Sequence, residues 1–257
     1  MGQPYSRCHG CLRDISASTG TIFHRSHISL KTWFRIVWWA TNQKSGLSAK
    51  GLQGMLGLSS YKTSWTALQK LRRAMIRPDR EKLSGDVEVD KTAIGGLKRG
   101  GNSLANKAIV IIAVEIRGKG MGRVRLRRLR GPLAEPILEF VEQTVEEGST
   151  IVTDGEWAFR LVKKRGYRHY GTVLRDHGKE ASKATLPRVH RVASLLKRWL
   201  LGTHQGRVPV QKLDPYLEEF AFRFNRRTST KRGMLFYRLL QQCVVHGPIT
   251  YEQIKAT

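Results

Sequence analysis

The sequence predicts an α/β protein, a mixed sheet flanked by helices, with a small all-α domain ahead of it. Between Ile28 and Ile76 the apolar residues recur at helical spacing. After Arg77-Pro78 they gather instead into short runs, dense or alternating, of strand type. Those runs then alternate with helical stretches, the order expected of a sheet covered on its faces.

The elements follow in order. Residues 1–26 contain the pair Cys8 and Cys11 in the phrase CHGC. Such a pair is half of a zinc ribbon, and a closed structural site needs four ligands. His9 and His24 do not stand at a standard spacing. The segment therefore reads as the remnant of a ribbon whose first half is missing, and structural zinc is not expected. Residues 27–84 read as helices. Leu30, Trp33, Phe34, Val37 and Trp38 make one apolar face. Ser48 is an N-cap, Leu52, Met55 and Leu56 form a short face, and Gly57 stops that helix. Ser59 or Ser60 caps the next helix, with Trp65, Leu68 and Leu71 turned inward. Two short helices joined by a glycine turn predict a helix-turn-helix, presenting Tyr61, Lys62, Ser64 and Thr66 to a DNA groove. A plain helical bundle is the alternative.

Residues 85–245 form the α/β domain, and 246–257 a C-terminal tail. VEVD ends at Asp90, AIVIIAVEI (108–116) is a buried type of strand, and GRVRLRRL (122–129) alternates like an edge strand. A helix follows in PLAEPILEFVEQTVEEG, with Leu138, Val141 and Val145 on one face and Gly148 at its end. TIVTDG (150–155) is a strand that stops at Asp154. Helical text at 156–165, a strand in GYRHYGTVLR, and helices at 187–202, 211–226 and about 232–245 complete the chain.

Composition narrows the partner. Of 257 residues, 46 are Lys or Arg against 20 Asp or Glu, a net charge of +26. Charge on this scale opposes folding unless a polyanion uses it. The basic residues are spread along the chain, which favours nucleic acid over a membrane surface. Residues 1–85 alone hold 14 basic against 3 acidic side chains. No apolar run approaches the ~18 residues of a membrane span, and Met1–Arg13 is not a signal peptide. Three cysteines without a disulfide pattern fit a reducing cytoplasm.

Against that basic background stand two aspartates, Asp90 and Asp154, each at the carboxyl end of an apolar strand and 64 residues apart. Ligands of mixed sheets gather beyond strand ends. Two carboxylates meeting there repel unless a divalent cation lies between them. A bound polyanion would bring scissile phosphates, the arrangement of two-metal phosphodiester chemistry. A structural turn is the competing account of either aspartate.

Five stretches carry a resemblance: GTIFH, LSGDVEVDKTAIGG, IVTDGEW, LPRVHRVASLLKRWLLGTHQG and YLEEFAFRFNRRTSTKRG. In this order they cover most of the chain, and it resembles insertion-sequence transposases of the ISXO2-like group. These are a branch of the DDE superfamily, with a ribonuclease H-like catalytic fold and an N-terminal zinc ribbon. The resemblance implies a DNA transposase that binds the terminal inverted repeats of its element, hydrolyses the 3′ ends and joins them to target DNA. It implies Asp90 and Asp154 as the first two catalytic metal ligands for Mg²⁺ or Mn²⁺, and puts His190 at the third, usually acidic, position. Lys197, seven residues on, shares the helix face of His190 and is placed to hold a DNA phosphate. Arg198, Arg226, Arg227 and Lys62 are further DNA-binding candidates. A homo-oligomer on double-stranded DNA, in a bacterial cytoplasm at the nucleoid and away from membrane, is the implied setting. The chain departs from the group's pattern at Lys91, where an acid is usual, at Glu156, which looks inserted, at His190, and in the half-absent ribbon. A copy that binds DNA without cutting it is therefore the second reading, and a nuclease without strand transfer the third. Glu180 is the next acid should His190 not ligate. Trp157 and Trp199 are expected in the core, His204 in a turn approaching DNA, and Cys243 buried and inert.

Overall fold

Serine hydroxyls set the starts of the first helices. The computed structural model describes residues 5–12, 14–77, 79–95, 107–131, 134–171 and 186–256. A two-stranded antiparallel ribbon, β1 (Tyr5–Arg7) and β2 (Asp14–Ser16), precedes α1 (Leu30–Asn42), α2 (Ala49–Leu56) and α3 (Tyr61–Ala74). Ser29, Ser48 and Ser60 each accept a backbone N–H of the following first turn. Such caps satisfy donors that the helix itself cannot. Gly57 ends α2 at φ 61, a left-handed conformation that suits a residue without Cβ.

The sheet follows: β3 (Asp86–Ile94), β4 (Ala108–Arg117) and β5 (Gly120–Arg128) as an antiparallel meander, then α4 (Glu135–Thr144) and β6 (Thr150–Thr153). The helical text after it is a single turn, α5 (Trp157–Arg160), tightening into a 3₁₀ turn at Leu161–Arg165, before β7 (Arg168–Gly171). Helices α6 (Pro187–His204) and α7 (Asp214–Phe224) close this part. The strand order is β5-β4-β3-β6-β7, with β3, β6 and β7 mutually parallel. This mixed sheet flanked by helices is compatible with a ribonuclease H-like fold.

Alternation along the strands fills both faces. On one, Val87, Val89, Ile111, Ala113 and Ile151 pack against Ile137, Phe140 and Val141 of α4 and against Phe159. On the other, Val110, Ile112 and Val114 meet Val189, Val192 and Leu196 of α6 and Phe220 of α7. Phe140 is fully buried, so truncation to alanine would cost about 3–5 kcal/mol. The edge strand is closed by a side chain: Asn225 accepts from Val124 N at 2.7 Å and donates to Val124 O at 3.1 Å. An unpaired edge is thus blunted.

The remaining helices, α8 (Arg232–Val245) and α9 (Tyr251–Ala256), belong with the first three. One unit comprises Met1–Pro78 with Thr228–Thr257, the other Asp79–Arg227. The α/β unit therefore ends near 227 rather than 245, and residues 246–257 are not a bare tail. Phe34 and Trp38 of α1 pack edge-on against Phe236 of α8, and Cys243 O accepts from Ile22 N at 3.2 Å. Apolar contact with α1 decides which unit α8 joins. Met55 is 44% exposed, against the inward placement expected of it.

Candidate active site

Strand β3 does not stop at Asp90. It runs to Ile94, paired with β4 throughout, Asp90 lying opposite Ile112. What stops is its other partnership. The parallel pairing with β6 is Asp86 to Thr150, Val87 to Ile151 and Glu88 to Val152, a constant offset of 64, and it ends there. Asp90 and Asp154 are separated by the same 64, so the register carried two residues past its last pair sets them at one level, just where neighbouring strands part. Paired strands lie about 4.8 Å apart, and a gap opening between them is the crevice expected at parallel strand ends.

The electrostatics agree with that geometry. Burial pushes the Asp90 carboxyl up to about 6. The N–H of Lys91, donating to Asp90 Oδ1 at 2.6 Å, pulls against burial, while the charge of Asp154 adds to it. His190 and Lys91 act in the opposite direction, so all these groups lie within electrostatic reach of one carboxyl. Asp154 is held by a turn in which its Oδ1 accepts from Glu156 N at 3.1 Å.

A residue that sequence reasoning passed over brings His190 to this place. Glu88, two before Asp90 and thus on the same face of β3, is 1% exposed. Its Oε2 accepts from Arg188 N and Val189 N, each at 2.9 Å, and its Oε1 from Arg188 Nη1 at 2.9 Å. A strand carboxylate thereby supplies the cap that α6 lacks in its own sequence, where a negative charge also suits the helix dipole. Arg188 continues to Gly120 O and Gly118 O at 2.8 and 2.7 Å. The first turn of α6, with His190 in it, is bolted to the strand that carries Asp90. The only local sign was an acid inside an otherwise apolar strand.

The two departures flanking the aspartates turn out to be partners. Lys91 Nζ lies 2.6 Å from Glu156 Oε1. The residue after Asp90 is thus tied to the residue two after Asp154, and the pair is neutral. At the next step beyond the two carboxylates, an attraction holds the same two chain segments together. Behind the turn, Thr153 Oγ1 meets His169 Nε2 at 2.9 Å, and burial lowers the His169 imidazole below its usual value.

The other candidates divide. Lys197 and Arg198 are exposed on α6. Arg226 lies over the Phe222 ring at 4.0 Å and donates to Phe222 O. Arg227 lies over Phe224 at 4.1 Å and donates to Phe224 O, Gly122 O and Met121 O. Both guanidiniums are committed to their own unit, and that of Arg227 fastens the end of α7 to the β4–β5 hairpin. In the helical unit Lys62 is exposed, with Nζ 4.0 Å above the Tyr251 ring. Tyr61 is 55% exposed, but Ser64 is fully buried and donates to Ser60 O, so it is not presented to a groove. His204 is edge-on to Trp199 and Tyr216, at 4.7 and 4.8 Å, inside the α/β unit rather than in an open turn. Trp157 is 63% exposed, not core, whereas Trp199 packs against the core. Cys243 is buried, its thiol pushed up to about 12 by desolvation. Cys8 and Cys11 are free thiols, that of Cys8 held below its usual value by the backbone N–H groups of Cys11 and Gly10. Glu180 lies outside the described residues.

Asp90 and Asp154 offer hard oxygens at one level, and the cost of their joint ionisation is what a divalent cation would relieve. Among the described residues no three His, Cys, Asp or Glu side chains already close into a cage. His190 therefore stands near the pair without completing one. Fold and site together define an α/β protein with paired carboxylates where parallel strands separate. Residues 82–225, nearly the whole α/β unit, match the ISXO2-like transposase domain, and the chain belongs to that family. It is also 27% identical over 243 residues to an uncharacterized protein in transposable element ISH50 of Halobacterium salinarum, covering 88% of this chain and 79% of that protein. Among the described residues no helix is long and apolar enough to cross a membrane.

Proposed function

We propose that this protein is a DNA transposase with a ribonuclease H-like catalytic unit. It binds the terminal inverted repeats of its element, frees their 3′ ends and joins them to target DNA. The observation that carries the reading is the common level of Asp90 and Asp154, in a chain with a net charge of +26. In the first reaction a water oxygen bonds to phosphorus and the bond to the 3′ oxygen breaks, leaving a 3′-hydroxyl. In the second, that hydroxyl attacks a target phosphodiester and displaces another 3′ oxygen. Mg²⁺ or Mn²⁺ would supply Lewis acidity for both, activating the attacking oxygen and offsetting charge on the leaving one.

The chain's own residues bind and orient. Asp90 and Asp154 furnish the oxygens and His190 a nitrogen. Glu88 keeps the His190 turn against β3, and the Lys91–Glu156 pair keeps the segments after the two aspartates from drifting apart. Lys197 and Arg198 offer exposed charge to the phosphate backbone from the same helix as His190. In the helical unit, α2, the Gly57 turn and α3 act as a helix-turn-helix, with Tyr61 and Lys62 at the exposed start of α3 meeting DNA. The protein works as a homo-oligomer on double-stranded DNA at the nucleoid of the cytoplasm.

A cation beside Asp90 favours a second reading, a derivative that binds DNA and does not cut. The Lys91 charge is spent on Glu156, which argues for the active form. Linear DNA carrying the sequences that flank the gene, incubated with protein and Mn²⁺, separates the two. New 3′ ends at the repeat boundary and joined products support the transposase. Specific binding without new ends supports the inert derivative.

A further inference from the structure

Two local costs converge on one cavity of the helical unit. About 740 Å³ opens between the His24–Ile28 turn, α3 and the segment 248–253. Lys70, on its wall, is only 7% exposed, and its ammonium donates to Ile22 O at 3.2 Å. A buried ammonium is costly without a charged partner, and no Asp or Glu lines the cavity. Burial accordingly lowers the Lys70 ammonium below its usual range. On the rim, Arg25 holds φ at 50, the left-handed region where glycine would sit without strain. A non-glycine residue is uncommon in such a conformation and carries a local backbone cost. Lys62, His24 and His27 add further cationic or titratable groups. Between them the wall is apolar, with Ile28 and Ile249, and Tyr251 is its accessible aromatic ring, Trp33 behind it being 1% exposed.

We propose that this cavity binds a nucleoside phosphate, the anionic group against Lys70 and Arg25 and the flat base against Tyr251. Its volume is within the about 300–1,000 Å³ of small-ligand sites. The ligand chemistry has two sources, a free mononucleotide or an unpaired nucleotide at the end of a bound DNA strand. The cavity uses none of the carboxylate-site residues and stands apart from the cleavage reading.

Isothermal titration of the full chain, with no metal added, tests it. The probes are deoxyadenosine monophosphate, deoxyadenosine, and a short duplex with or without a phosphorylated single-nucleotide overhang. Saturable binding is expected for the monophosphate, or for the overhang duplex in preference to the blunt one, and the probe that binds names the source. Lys70→Met should weaken that binding at least about tenfold, the worth of a charge-assisted hydrogen bond. Arg25→Gly should weaken it too while leaving thermal stability equal or higher, since the backbone there suits glycine. If Lys70→Met fails to fold, Arg25→Gly decides alone. No saturable binding of either probe, equal affinity for the nucleoside lacking phosphate, or unchanged affinity in the folded variants would overturn the proposal.

Discussion

Replacing Asp90 by asparagine should make the metal-free protein more stable. Burial and the neighbouring Asp154 raise the Asp90 carboxyl from 3.8 to about 6. Two units at about 1.4 kcal/mol each amount to about 3 kcal/mol of strain in the ionised form, an upper figure. Asparagine keeps an oxygen for the Lys91 N–H, which donates to Asp90 Oδ1 at 2.6 Å, and sheds the charge. The sign follows from proton linkage. A folded value above the unfolded one means the folded state holds the extra proton between about pH 4 and pH 6, so stability falls as pH rises through that window. The advantage of Asp90→Asn is thus full above about pH 6 and vanishes below about pH 4. For a unit of this size, 3 kcal/mol corresponds to roughly 6–12 °C in Tm. The assay is urea or thermal unfolding with chelator present, at about pH 8 and about pH 4. Adding Mg²⁺ should then stabilise the wild type and leave Asp90→Asn unmoved, if the metal is held by the carboxylate pair as proposed. A variant less stable than wild type at the higher pH, or a gap independent of pH, would refute the electrostatic account of Asp90.

Other expectations follow from the same neighbourhood. With a nitrogen at the third position, Mn²⁺ should support cleavage better than Mg²⁺, and His190→Glu should raise the Mg²⁺ rate towards the Mn²⁺ rate. If His190→Ala cuts as well as wild type in both metals, His190 is not a ligand and Glu180 is the next to test. Lys91→Glu and Glu156→Lys should each slow cleavage, and the double variant should recover most of it. A coupling energy of about 0.5–1 kcal/mol in the unfolding cycle suits a half-exposed pair, and strictly additive losses would deny the clasp. Glu88→Ala, which strands the Arg188 charge and uncaps α6, should cost about 3 kcal/mol or more in urea unfolding. Glu88→Gln, which retains one acceptor oxygen for the helix N–H groups, should lose less stability while still weakening activation by Mn²⁺. A Glu88→Gln protein with unchanged metal dependence would show that Glu88 does not position His190.

Much of this was legible because it is local. Helix α8 and strands β4 and β5 fall within a few residues of their periodic patterns, and the serine caps mark the helix starts. That Asp90 and Asp154 each lie near the end of an apolar strand was legible, but the meaning of their spacing of 64 was not, since it matches a register that only the paired strands β3 and β6 display. The inward turn of Ser64 was legible too, and was misread. It precedes Ala67, Leu68 and Leu71 by three, four and seven residues, which places it on the buried stripe of α3. What the sequence hid is long-range pairing. The continuation of β3 through Lys91 and Thr92 has no apolar signature and exists because β4 supplies its partners. Glu88 caps a helix a hundred residues away, and nothing near either end announces it. Lys91 and Glu156 each look like a fault alone, and only proximity makes them one feature. Likewise α8 carries its apolar face openly, but not the identity of the unit it joins.

The central claim is that Asp90 and Asp154 together make a metal-dependent phosphodiester site. Conversion of supercoiled plasmid to open circles with Mn²⁺ tests it most directly, comparing wild type, Asp90→Ala and Asp154→Ala, each confirmed as folded by circular dichroism. The account predicts nicking by the wild type that chelator abolishes, and a loss of at least about a hundredfold in either variant, as expected when a group acting in the transition state is removed. Nicking that survives in Asp90→Ala or Asp154→Ala, or that proceeds in chelator, would contradict it.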